Sequence, residues 1–140
     1  MSRVQLALNV NNLDSAVDFY RKLFDTEPAK LRPGYANFAI AQPPLKLVLI
    51  ENPKATGTLN HLGVEVETPA EVTTASDRLN QLELETRSEN QVTCCYALQD
   101  KVWVHDPDGA PWEIYTVLSD SPVPDLKAPE SNPQPCCASA

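Results

Sequence analysis

Val4-Gln5-Leu6-Ala7-Leu8-Asn9-Val10 sets Val4, Leu6, Leu8 and Val10 on one face of an extended segment. Such a period of two marks a β-strand with one face buried. The pattern recurs 56 positions later in Asn60-His61-Leu62-Gly63-Val64-Glu65-Val66. Superposing the two puts Leu6 on Leu62, Leu8 on Val64, Val10 on Val66 and Gln5 on His61.

Each strand leads into a helix. Ala16, Val17, Tyr20, Leu23 and Phe24 lie at helical spacing within a segment of about 13–24. Thr68-Pro69-Ala70-Glu71 is a capping box with proline at the first helical position, opening a helix that reaches about Leu82. Strands are expected near 35–40 and 45–51 after the first helix. After the second they are expected near 85–87, 96–105 and 112–118. Asp106-Pro107-Asp108-Gly109 is a turn between the last two. The segment between the second helix and Cys94 has no clear period. The plan is β-α-β-β(-β), twice. Neither half can bury its sheet face alone, so the halves should pack as a pair.

The chain has 140 residues and 42% apolar content, enough for one domain with a real core. Its net charge is 11 − 19 = −8, with no basic run, which argues against nucleic acid and anionic membrane as partners. No apolar run is long enough to span a bilayer, and no signal peptide is evident, so a cytoplasmic location is expected. Residues 119–140 contain five prolines and few large apolar residues. They are expected to form a mobile tail, leaving 2–118 as the folded domain. Monomer and homodimer are both open.

Alternation says which polar residues share a face. With Leu6, Leu8 and Val10 under the first helix, Gln5, Ala7 and Asn9 point the other way, as do His61, Gly63 and Glu65. In the last strand Glu113 and Tyr115 alternate with Trp112 and Ile114. Gln5, His61 and Glu113 can therefore converge inside a cupped sheet. An amide oxygen, an imidazole and a carboxylate suit Fe(II), Mn(II), Ni(II) or Zn(II), with positions left open for water, substrate or O2. The competing reading makes all three ordinary strand residues. Gln5 and His61 are equivalent under the repeat, and Glu113 follows the turn in the strand that should close the second half; this agreement favours the metal. His105 is the rival imidazole, but its place directly before the turn marks it as a strand end. Aligning Pro44 with Pro111 puts Lys46 opposite Glu113, so the first half offers no fourth ligand.

The four cysteines form two adjacent pairs, Cys94-Cys95 and Cys136-Cys137. Adjacent cysteines rarely bond to each other, because the small ring strains the disulfide. In a reducing compartment all four are expected as free thiols. In an extended strand Cys94 and Cys95 would point to opposite faces, so gripping one atom together requires a loop or bulge. A thiolate pair suits thiophilic acceptors such as trivalent arsenic or cadmium. No glycine-rich nucleotide loop and no Ser/His/Asp triad is present. Asp106–Gly109 lacks the spaced acidic residues of a calcium loop.

The repeated plan, the opening strand, Asp18-Phe19-Tyr20-Arg21-Lys22-Leu23-Phe24 and Asp106-Pro107-Asp108-Gly109 resemble the vicinal oxygen chelate superfamily over residues 2–118. That group includes glyoxalase I, extradiol dioxygenases and bleomycin-resistance proteins. The resemblance implies an α+β fold of two βαβββ modules cupped around a metal. Gly34–Ile40, Pro44–Leu49, Leu59–Val66 and Thr93-Cys94-Cys95-Tyr96-Ala97 further resemble the organoarsenical carbon–arsenic lyases and a cadmium-induced protein of the same subgroup. This implies Fe(II) on Gln5, His61 and Glu113, O2 as cosubstrate, and a trivalent methyl- or aryl-arsenical on Cys94 and Cys95. The alternatives are a non-catalytic cadmium or arsenite binder and a glyoxalase- or antibiotic-resistance-type member.

Overall fold

The computed structural model describes residues 2–123 and the backbone of 125–126. The first module is β1 (Arg3–Val10), α1 (Leu13–Phe24), β2 (Lys30–Arg32), β3 (Tyr35–Ile40) and β4 (Leu45–Glu51). The second is β5 (Leu59–Glu65), α2 (Pro69–Gln81), β6 (Arg87–Cys94), β7 (Ala97–His105) and β8 (Pro111–Asp120), followed by β9 (Asp125–Leu126). All strands join one sheet in the order β2-β3-β4-β1-β5-β8-β7-β6-β9. Apart from β9, the order reads the same outward from the central β1–β5 pair in both directions. The two halves are thus related as the sequence repeat requires.

Local chemistry explains the elements. Asn12 caps α1 by accepting from Ser15 N at 2.9 Å, and Asp25 ends it in the left-handed region. Thr68 and Glu71 form the expected reciprocal box on α2, with Pro69 just inside. Leu13 and Val17 of α1 bury against Ala36, Phe38, Ile40, Leu47 and Leu49 on the convex face, with Leu6, Leu8 and Val10 packed alongside. Each such side chain removed from water stabilises the fold by about 1.5–3 kcal/mol before entropy is counted. Gln5, Ala7 and Asn9 are buried on the opposite, concave face, as the alternation indicates.

Three features depart from expectation. β6 runs from Arg87 to Cys94, far longer than the three residues expected. An irregularity between Glu89 and Val92, with Gln91 at positive φ, breaks its period and hides it from pattern reading. The fold also continues past 118. β8 reaches Asp120, Ser121 is buried with its N–H on the Tyr96 carbonyl, and β9 pairs with Thr93 and Cys94. The rest of the expected tail, including Cys136 and Cys137, lies outside the described residues.

The third departure is the repeat alignment of β4 and β8. Ala7 pairs with Val48 and Gly63 pairs with Glu113, so the repeat counterpart of Glu113 is Val48, not Lys46. Matching the prolines misplaces the alignment by two residues, because β4 begins at Leu45 whereas β8 begins at Pro111. The first module still offers no donor atom at the position equivalent to Glu113, since Val48 is a buried hydrocarbon.

Candidate metal centre and dithiol turn

β1 and β5 lie side by side with Gln5 opposite Gly63 and Ala7 opposite His61. Each functional side chain therefore leans over a small partner from the other half. Gln5 Nε2 stands 3.2 Å from His61 Nε2, and His61 Nε2 stands 3.3 Å from Glu113 Oε2. The structure thus brings all three expected residues together, each at most 4% exposed. A methyl group on Gly63 would approach Glu113 Cγ at 3.0 Å and Gln5 Nε2 at 3.1 Å, so only glycine leaves the centre room.

The imidazole is set in one tautomer. β5 carries an extra residue, Asn60, between the pairs Ala7–His61 and Leu8–Leu59. This bulge breaks the alternation, so Asn60 and His61 act on the same site. Asn60 Oδ1 accepts from His61 Nδ1 at 2.7 Å, and Asn60 Nδ2 donates to Asn9 Oδ1 at 3.0 Å. With the proton on Nδ1, the Nε2 lone pair faces the centre. Burial holds the His61 pKa below its usual value against the opposing pull of Glu113, favouring the neutral ring.

A neutral nitrogen lone pair and a carboxylate oxygen facing each other at 3.3 Å form a place for a cation. Gln5 now turns its Nε2 inward while its Oε1 accepts from the Tyr115 hydroxyl at 2.6 Å. Turning the amide would present oxygen to a metal and its N–H to Tyr115. The donor set therefore fits a divalent ion. Among the described residues no cluster of three or more His, Cys, Asp or Glu exists, because the third donor is an amide.

Lys101, Trp103, Asn60 and Tyr115 complete the setting. Lys101 Nζ lies 3.4 Å from Glu113 Oε1, over the Trp103 ring at 5.5 Å and the Tyr115 ring at 5.8 Å. Its place within Lys101-Val102-Trp103-Val104, a lysine alternating through an apolar strand, was the available signal. No sequence signal marked the Asn60 bulge. Lys46, also buried, lies over the Tyr115 ring at 5.2 Å. His105 ends β7 exposed, away from this group.

Cys94 and Cys95 meet through a strained turn. Cys94 pairs with Ala97, leaving Cys95 and Tyr96 as a two-residue hairpin loop with φ of 54° and 62°. Two successive positive φ values match a type I′ turn, usually built from Asn-Gly. Here the strain is held by bonds. Gln99 Nε2 donates to Cys94 O at 2.8 Å, and Lys30 Nζ and Ser121 N both donate to Tyr96 O at 2.9 Å. Lys30 also pairs with Asp120, and the Tyr96 ring packs on Tyr35. The two sulfurs end 3.5 Å apart. Both are in the disulfide form here, which corrects the expectation of free thiols. At that separation, against about 2.05 Å for a bond, they are not joined to each other. Cys94 packs on Trp103, whose ring meets His61 edge-on at 5.4 Å. One indole thus links the sulfur pair to the donor triad.

A cupped sheet of two βαβββ modules with a mixed N/O donor set on its concave face defines a class. The model of the Glyoxalase/Bleomycin resistance protein/Dioxygenase superfamily matches residues 3–114, and the chain belongs to this family. It is 62% identical over 121 residues to the cadmium-induced protein CadI of Mycobacterium bovis, covering 86% of this chain and 80% of that protein. It is 61% identical over 122 residues to the trivalent organoarsenical cleaving enzyme of Thermomonospora curvata, covering 86% and 81%. Among solved structures, the Mn(II)-bound glyoxalase of Novosphingobium aromaticivorans superposes with a TM-score of 0.61 at 17% identity, covering 93% of this chain and 44% of that one. At that identity the likeness concerns the fold. No helix among the described residues is long and apolar enough to cross a membrane.

Proposed function

We propose that this protein is an Fe(II)- and O2-dependent dioxygenase that cleaves the carbon–arsenic bond of trivalent organoarsenicals. The observation that carries the reading is the sulfur pair, 3.5 Å apart on a strained turn and one indole ring from the Gln5–His61–Glu113 centre. The name of the Thermomonospora curvata relative supports the same substrate class.

The reduced cysteines would capture the substrate. One R–As(OH)2 and two thiols give R–As(S–Cys)2 and two waters. Two S–As bonds form, two As–O bonds break, and no oxidation state changes. Holding arsenic at two points converts an encounter into a fixed geometry. Saturated pentavalent arsenic offers thiolates no such soft site. A divalent iron on Gln5, His61 and Glu113 would supply activation of O2. Asn60 keeps the His61 proton on Nδ1, Tyr115 anchors the Gln5 amide, Lys101 balances the Glu113 charge, and the Trp103 ring stands between the cysteines and His61. For a methyl substrate, methylarsenite plus one O2 balances as arsenite plus formaldehyde. The C–As bond breaks, the carbon is oxidised and both oxygen atoms are consumed.

The test is aerobic turnover of methylarsenite by Fe(II)-loaded, thiol-reduced protein. Cys94→Ser/Cys95→Ser and Glu113→Ala should each abolish arsenite release. Activity surviving in the first sinks the capture role, and activity surviving in the second sinks the metal assignment. A second reading, favoured by the Mycobacterium bovis relative's name, is sequestration of cadmium by the same sulfurs. It predicts tight cadmium binding and no product under O2.

A further inference from the structure

Gln99 is 3% exposed, and its Oε1 is the one buried side-chain polar atom among the described residues with no hydrogen-bond partner. It lies on β7 with Lys101 and Trp103 at alternate positions, so all three share the concave face. It pairs with Val92 on one side and Val117 on the other, neither of which offers a side-chain donor. Its orientation is fixed. Nε2 donates to the Cys94 carbonyl at 2.8 Å, and the reversed amide would set oxygen against oxygen. The free acceptor is therefore held beside the residue that would carry arsenic. A desolvated acceptor without a donor is unfavourable, and a ligand that brings the donor relieves that cost.

Resting on the function proposed above, we propose that Gln99 Oε1 is a specificity-determining acceptor for the organic group of the substrate. It makes the protein favour trivalent aryl arsenicals bearing a ring amino or hydroxyl group over unsubstituted ones. The aryl group hangs from the arsenic held by Cys94 and Cys95, and one of its ring positions passes Gln99. The donor on that position completes the hydrogen bond that the chain leaves unmade. Gln99 then has two separable tasks, Nε2 steadying the turn for every substrate and Oε1 discriminating among them.

The experiment measures dissociation constants of phenylarsenite and its ortho-, meta- and para-amino derivatives, using quenching of indole fluorescence in the reduced, metal-free full chain. The same compounds are assayed as substrates by the Fe(II)-loaded protein in air. In the wild type at least one amino isomer should bind about tenfold tighter than phenylarsenite, the worth of one hydrogen bond. In Gln99→Met that preference should fall to within about twofold. Gln99→Glu, protonated on the oxygen that faces the Cys94 carbonyl, keeps both that donor and an acceptor; below the pH at which this acid ionises it should retain the preference, and it carries the test if the methionine variant fails to fold. The proposal is overturned if no isomer is preferred by the wild type, or if the methionine variant weakens all four compounds by one factor. If binding shows the preference but no arsenical is cleaved, the proposed function fails and the Gln99 assignment stands.

Discussion

Gly63 on β5 pairs in register with Glu113 on β8, and the absent Cβ of Gly63 is the space in which Glu113 Cγ and the Gln5 amide approach each other. The two halves meet at the centre only because this position is empty. Gly63→Ala should push Glu113 and Gln5 apart at a cost of about 1–3 kcal/mol, lowering Fe(II) or Mn(II) affinity by about tenfold or more. Titration calorimetry on the reduced protein measures it.

Asn60 should matter to the metal without touching it. Asn60→Ala removes the acceptor for His61 Nδ1–H and frees the ring to rotate or change tautomer. Losses of about 10–100-fold in metal affinity are usual for such an outer partner. Asn60→Asp retains the acceptor and should recover most of it.

Lys101 and Glu113 form a buried pair with side chains 0% and 3% exposed. Lys101→Met leaves the carboxylate without its ammonium, destabilising the metal-free protein by about 3–5 kcal/mol. A bound divalent ion compensates the same charge. Thermal unfolding should therefore show a larger rise in Tm on metal addition for Lys101→Met than for the wild type.

Tyr35 is buried beneath Tyr96, and burial pushes its phenol up to about 12 from an ordinary 10.0. Below pH 10 both folded and unfolded phenols are protonated, and the contribution to stability is whole. Between pH 10 and 12 the unfolded chain releases the proton that the fold retains, so stability falls as pH rises. The loss is about 2–3 kcal/mol by pH 12. Tyr35→Phe should lose less stability over that window in urea unfolding.

The fold was legible because β1 and β5 alternate cleanly and because Thr68–Glu71 announces a helix start. The convergence of Gln5, His61 and Glu113 was legible, since side-chain direction follows from the same alternation. What escaped reading breaks a period. Asn60 is an inserted residue that turns its neighbour's partner inward, and Gln91 disrupts β6 in a largely exposed strand. The Cys95-Tyr96 turn lacks the glycine that normally signals its backbone. Its conformation depends on Lys30, Gln99 and Ser121, none of them adjacent to it in sequence. Lys101 and Trp103 reach the centre through strand pairing, which fixes neighbours that no spacing rule supplies.

In the proposed function one cup captures trivalent arsenic on sulfur and cleaves its bond to carbon. The direct measurement is arsenic speciation by liquid chromatography and mass spectrometry after aerobic incubation of methylarsenite with the reduced, Fe(II)-loaded protein. Appearance of arsenite, dependent on both O2 and Fe(II), is the result expected. Methylarsenite recovered unchanged, by protein shown to bind both metal and arsenical, would contradict it.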